Sequence, residues 1–165
     1  MAKAFVIKKQ EIHNKLHSEV TICYNDKETK VKALWDTGAT NSCISADVVN
    51  DLSLTATGKL PIQTPSGNDV VNTYLVDVML PNDVPISDLM VCDSKIGAQG
   101  IGMLIGMDII NQGDFVVSNY QGKTVFSFRM PSESVMDFVA GIRASNVIMA
   151  NRNRRKNTVG RKKRK

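Results

Sequence analysis

Cysteine, histidine and aromatic residues are all scarce in this chain, and long apolar runs are missing; each shortage removes a class of protein. Three cysteines (Cys23, Cys43, Cys92) cannot all pair within one chain, and their spacing fits neither a zinc knuckle nor a redox pair. Reduced, mostly buried thiols are expected. No apolar run approaches the roughly 18 residues of a membrane helix, and the apolar part of residues 1–8 is too short for a secretory signal. The default expectation is an intracellular protein. His13 and His17 stand four apart with no catalytic acid between them and no further ligand cluster, so no metal is expected. Gly100-Ile101-Gly102 with Gly106 lacks the strand–helix–strand context and following acid of a dinucleotide site, so no cofactor is expected either. Cys43 has no recognisable histidine partner to make it a nucleophile.

What is present suits a soluble, folded domain. The 165 residues are 42% hydrophobic and 22% charged, enough chain and apolar content for one real core. Charge is unevenly placed. Residues 151–165 hold nine Lys or Arg and no acid, so the whole-chain +5 leaves −4 for residues 1–150. The basic stretch reads as a disordered tail. It is either simply solvated or a contact for the phosphates of nucleic acid or for an anionic membrane surface. It contains no aromatic residue, so base stacking is not indicated.

Alternation and β-branched residues predict strands over 5–7, 19–24 and 29–35, the last two joined by the polar turn Asn25-Asp26-Lys27-Glu28. Ser45 predicts an N-cap for a short helix over 46–52. Strands over 60–63 and 70–80 flank the turn-rich Thr64-Pro65-Ser66-Gly67-Asn68, which makes a projecting hairpin. A strand over 86–92, a loop over 97–102 and an apolar, strand-like stretch over 103–110 around Gly106 follow. A short helix over 107–112 ends at Gly113, and a hairpin covers 114–128. Ser134 to Asp137 resembles a capping box, and Val135, Phe138, Val139 and Ile142 recur at helical spacing. Three regions result: a domain over 1–130, an amphipathic helix over 131–150 and the tail over 151–165.

The organising stretch is Ala33-Leu34-Trp35-Asp36-Thr37-Gly38-Ala39-Thr40-Asn41-Ser42-Cys43-Ile44-Ser45, where an apolar strand runs into an acid, a hydroxyl and a glycine. A carboxylate at the end of a buried strand is unfavourable unless donors surround it. Gly38 lets backbone approach the carboxylate, and its N–H is a natural donor to Asp36.

Asp36-Thr37-Gly38-Ala39-Thr40, followed by Ile44-Ser45 and, some 70 residues on, by Leu104-Ile105-Gly106, resembles the paired motifs of the retroviral-type (retropepsin-like) aspartic proteases. Residues 104–128 are similar in particular to the cellular and bacterial branch. The resemblance covers roughly residues 21–128 and implies a mainly β, retropepsin-like acid-protease fold: a closed, barrel-like β lobe with a flap hairpin and short helices. It implies peptide-bond hydrolysis by paired aspartates. Asp36 would be catalytic, and Thr37, Gly38, Ala39, Leu104, Ile105 and Gly106 would support the active-site loops. Thr40, with Thr64, Ser66 and Gly67 of the flap, would contact a polypeptide substrate bound as an added strand. The sequence departs from the viral pattern in the flap, where Pro65 stands with one glycine, and at Trp35, where an aliphatic residue is usual.

Amide hydrolysis by water needs both a base and an acid, which two carboxylates sharing one proton supply. This chain has one Asp-Thr-Gly and no room for a second lobe. The second carboxylate is therefore expected from another copy of Asp36 in a homodimer. The competing expectation is a catalytically silent dimerisation or peptide-binding module whose functional end is the basic tail.

Overall fold

The structure, a computed structural model, describes the backbone of residues 1–64 and 67–162 and the side chains of residues 1–62 and 67–152. It forms two compact units, Met1–Glu133 and Ser134–Lys165.

In the first unit the elements run β1 (Lys3–Lys8), β2 (Leu16–Tyr24), β3 (Lys27–Trp35), β4 (Cys43–Ser45), α1 (Ala46–Leu52), β5 (Gly58–Thr64) and β6 (Gly67–Leu80). After these come β7 (Val84–Ser94), β8 (Met103–Ile105), α2 (Met107–Ile110), β9 (Asp114–Ser118) and β10 (Val125–Met130). The architecture is mainly β, as expected. Strand order β2-β3-β8-β4-β7-β6 closes on itself because β6 also pairs with β2, Ile22 facing Val78. The result is a six-stranded barrel with β5 attached outside it along β6. Closure removes the barrel's free edges.

Local chemistry explains the pieces. In β2, Ser18, Val20 and Ile22 are buried in strict alternation, the period of a one-sided strand. The β2–β3 turn is tighter than predicted, with Tyr24 opposite Lys27. Asn25 takes a left-handed φ of 51° there, a conformation asparagine tolerates. Ser45 caps α1 as expected, its Oγ accepting from the Val48 N–H. The 14-residue β6 does two things. Its second half lies in the barrel between β7 and β2, and its first half pairs with β5 to form the projecting hairpin.

A separate three-stranded sheet, β1-β10-β9, covers the end of β3 through an aromatic cluster. Four of the five phenylalanines and the single tryptophan meet there. Trp35 stacks on Phe115 at 5.1 Å, and Phe5, Phe126 and Phe128 pack around it at 5.4–6.0 Å. Its Nε1 donates to the buried Ser18 Oγ at 3.0 Å. The ring that departs from the viral pattern is thus the anchor of the residue before Asp36.

Asp114 ties the end of this sheet to the chain that follows. It accepts from the Arg129 guanidinium, the Ser132 hydroxyl and the Glu133 N–H. The Ser132 hydrogen bond, with Arg129 next, holds its carboxyl down at about 2.

In the second unit α3 spans Phe138–Lys162. The helix opens at Phe138, later than the predicted capping box. Asp137 is its cap, Oδ1 accepting from the N–H groups of Val139 and Ala140 at 2.8 and 3.1 Å. A carboxylate satisfies the first turn and complements its dipole. The backbone of α3 continues into the basic stretch read as a tail. The expectations for 163–165 lie outside the described residues.

Trp35→Ala is expected to destabilise the first unit by about 3–5 kcal/mol, the range for a large core aromatic, measured by urea unfolding followed by circular dichroism. The Asp114 network predicts a pH signature. A depressed carboxyl stabilises the fold above its unfolded value of 3.8 and loses that effect as pH falls through about 2. The stability gap between wild type and Asp114→Asn should therefore narrow between pH 4 and pH 2; an unchanged gap would count against the network.

Candidate active site

The turn after β3 is held from several sides. The Asp36 N–H donates to the Ile105 carbonyl at 2.9 Å, and the Ala39 N–H closes back on the Asp36 carbonyl at 3.2 Å. The Gly38 N–H donates to Asp36 Oδ1 at 2.8 Å, the bond anticipated from the glycine. A Cβ at Gly38 would stand 3.1 Å from that oxygen, tight against the carboxylate. Asp36 is half-buried, and Thr37, Gly38 and Thr40 are exposed. Its carboxylate is thus oriented by backbone yet open on one side.

The second motif supplies the backing. Leu104 lies opposite Leu34 and Ile105 opposite Trp35 in the parallel β3–β8 pair. Gly106 then brings its backbone against the loop of Asp36. A Cβ at Gly106 would lie 2.7 and 2.8 Å from the backbone carbonyl of Asn41 and 3.0 Å from the Ala39 oxygen, so only glycine fits. Beyond it, Met107 N–H donates to the Ala39 carbonyl at 2.8 Å and Asp108 N–H to the Thr40 carbonyl at 3.2 Å. The structure therefore brings Asp36, Gly38, Ala39, Thr40, Ile105 and Gly106 into one assembly.

Sequence reasoning did not assign a role to Ser42 or Asp108, although Asp108 was visible as the acid after the second motif. Asp108 grips the loop across 66 residues of chain. Oδ2 accepts from the Ser42 N–H at 2.7 Å and Oδ1 from the Ser42 hydroxyl at 2.6 Å. Ser42 Oγ in turn accepts from the Gly106 N–H at 3.0 Å, and Asp108 Oδ1 from the Ile109 N–H at 2.9 Å. Ser42 is fully buried, so its polar atoms depend on this clamp. The one signal in the sequence is Asp108, an acid two residues after Gly106 in an otherwise apolar stretch.

The remaining predicted contacts lie elsewhere in the same unit. Gly67 opens β6 opposite Thr64 with a φ of 124°, a left-handed conformation suited to glycine. Ser66 lies outside the described residues, as does the side chain of Thr64. Asp36 and Thr37 line a depression of about 370 Å³ with Trp35 and Phe115. Larger ones, about 500 Å³ beside His17 and about 480 Å³ along the hairpin at Pro61, do not touch Asp36. All three cysteines are free. Cys43 and Cys92 are buried and register-paired across β4 and β7. The Cys92 hydrogen bond, with burial, pushes the Cys43 thiol far up. A thiol so held is a poor nucleophile.

Asp108→Ala is expected to orphan the Ser42 N–H and hydroxyl and to lower stability by at least about 2 kcal/mol, given about 1–3 for each buried unpaired group. Denaturant titration checks this. Asp108→Asn, which keeps one acceptor, should lose less, and equal losses would mean the clamp is not the cause.

The sequence profile of the aspartyl protease family matches residues 19–109, more than half of the chain. Three solved structures are similar. A retropepsin-like aspartic protease from Rickettsia conorii is 13% identical over 79% of this chain and 96% of its own, with a TM-score of 0.48. The protease of simian foamy virus (mac) is 22% identical over 58% of this chain and 92% of its own, TM-score 0.44. The EIAV protease, solved with the inhibitor HBY-793, is 24% identical over 61% of this chain and 88% of its own, TM-score 0.43. Comparison with curated proteins finds no match. With its Asp-Thr-Gly loop and glycine-backed second motif inside the matched span, the chain belongs to the aspartyl protease family.

Proposed function

We propose that the protein is an aspartic endopeptidase that hydrolyses peptide bonds with water activated between two Asp36 carboxylates, one from each chain of a homodimer. One observation carries this reading: a single Asp-Thr-Gly loop, clamped by the second motif, presents a carboxylate that a backbone N–H orients and that stays open on one side.

The chemistry follows from two carboxylates sharing one proton. The ionised Asp36 takes a proton from water as the water oxygen attacks the peptide carbonyl carbon. The protonated Asp36 of the other chain gives its proton to the carbonyl oxygen, and a neutral tetrahedral diol forms. Collapse returns a proton to the departing nitrogen, breaks the carbon–nitrogen bond and leaves a carboxylic acid and an amine. The Gly38 N–H holds the Asp36 carboxylate in orientation.

In this reading Thr37 locks the two loops of the dimer together through its hydroxyl. The β5–β6 hairpin serves as a flap, with Thr64, Ser66 and Gly67 near its tip contacting the peptide backbone. Thr40 contacts the peptide from the opposite side. The peptide binds extended, as an added strand, and pockets along it set side-chain preference. Three free thiols suit a reducing, intracellular compartment.

Cleavage of a casein or peptide-library substrate tests the reading. Asp36→Asn should lower the rate by about 10²–10⁴, the worth of general acid–base catalysis. Wild-type specific activity should rise with protein concentration through the dimer dissociation range. Cleavage retained by Asp36→Asn would remove Asp36 from the chemistry, and specific activity independent of dilution in a sedimenting monomer would remove the shared site.

A further inference from the structure

The second unit carries a surface that the peptidase chemistry does not use. Phe138, Val139, Ile142, Val147, Ile148 and Met149 of α3 are all more than half exposed, as are Val135 and Met136 just before the helix. Between 138 and 150 the only charged residue is Arg143, whereas 151–165 carry nine Lys or Arg and no acid. The helix is thus divided along its length. Its first half is apolar and exposed, and the chain that continues it is strongly basic.

An occupant must satisfy both halves. Nucleic acid would meet the basic half but offers phosphates, not an apolar phase, to Phe138 and Ile142. A second α3 would meet the apolar half poorly. At about 100° per residue, Phe138, Ile142 and Met149 fall on one side, while Val147 and Ile148 point away, so no single seam forms for a partner helix. Pairing in parallel would also set nine positive charges beside nine more.

A bilayer with anionic headgroups offers an apolar phase wide enough for a broad helix surface and negative charge at its boundary. Thirteen residues of helix span about 20 Å, short of the roughly 30 Å hydrocarbon core. No helix among the described residues is long and apolar enough to cross a membrane. The fit is to the interface. We propose that α3 docks on an anionic lipid bilayer, with the side that carries Phe138, Ile142 and Met149 against the acyl chains and the basic residues that follow at the headgroups.

Flotation of the full chain with vesicles tests this. Retention is expected on phosphatidylcholine–phosphatidylglycerol vesicles, and at least tenfold less on phosphatidylcholine alone. The double variant Phe138→Asp/Ile142→Asp should lose retention at least tenfold, and so should Arg154→Gln/Arg155→Gln/Lys156→Gln. Unchanged Trp35 fluorescence shows that the first unit remains folded in each variant. Undiminished retention of the apolar variant would overturn the proposal, leaving charge attraction alone. The proposal also fails if wild type does not float, or if it binds duplex DNA more tightly than anionic vesicles. It fails too if sedimentation without vesicles shows an oligomer that the apolar substitutions dissolve. Because retention does not depend on cleavage, its loss is distinguishable from failure of the peptidase reading.

Discussion

Two stretches of backbone, at 39–42 and 105–108, touch so closely that no side chain can stand between them. Gly106 makes the contact possible, since any Cβ would strike the Asn41 carbonyl. The Ser42–Asp108 clamp then fixes its register with hydrogen bonds to a fully buried serine. The geometry of Asp36 is downstream of this contact. Its own N–H is held by Ile105, and the loop that orients its carboxylate is pinned at Ala39 and Thr40. A catalytic carboxylate is useful only if its position varies little, and supporting bonds on rigid elements secure that.

The aromatic cluster supports the same loop from the other end. Trp35 ends β3, so whatever fixes its ring fixes the start of the Asp-Thr-Gly turn. Aromatic content is low across the chain, yet the tryptophan and four of the five phenylalanines are concentrated at this point. Each ring pair adds about 0.5–1.5 kcal/mol beyond burial. The three-stranded sheet that supplies Phe5, Phe115, Phe126 and Phe128 therefore braces the strand that leads into Asp36 as well as covering core.

Much of this was legible in the sequence because it is local. The Asp-Thr-Gly turn, the Gly38 donor, the Ser45 cap and the hairpin strands all follow from residues within a few positions of one another. The pairing of β2 with β6, which closes the barrel, was not legible, because alternation shows that a strand has a buried face but not which strand it meets. The Ser42–Asp108 clamp was hidden for the same reason, its partners being 66 residues apart. At Trp35 the family pattern pointed to a smaller residue. Only packing shows that four phenylalanines make room for the larger ring. At the start of α3 the Asp137 carboxylate accepts from two first-turn N–H groups, a partner choice that the residue types alone do not show.

The register of β6 against β7 shifts between Val76 and Val78, just where β6 passes from the hairpin into the barrel wall. Such an irregularity separates the twist of the strand on its two sides. Below it β6 is pinned by both β7 and β2, and above it by β7 and the outer strand β5. Mutations that lengthen, shorten or resequence the hairpin are therefore absorbed before they reach the barrel. The hairpin can vary in length or sequence while the strand register of the barrel beneath it stays the same.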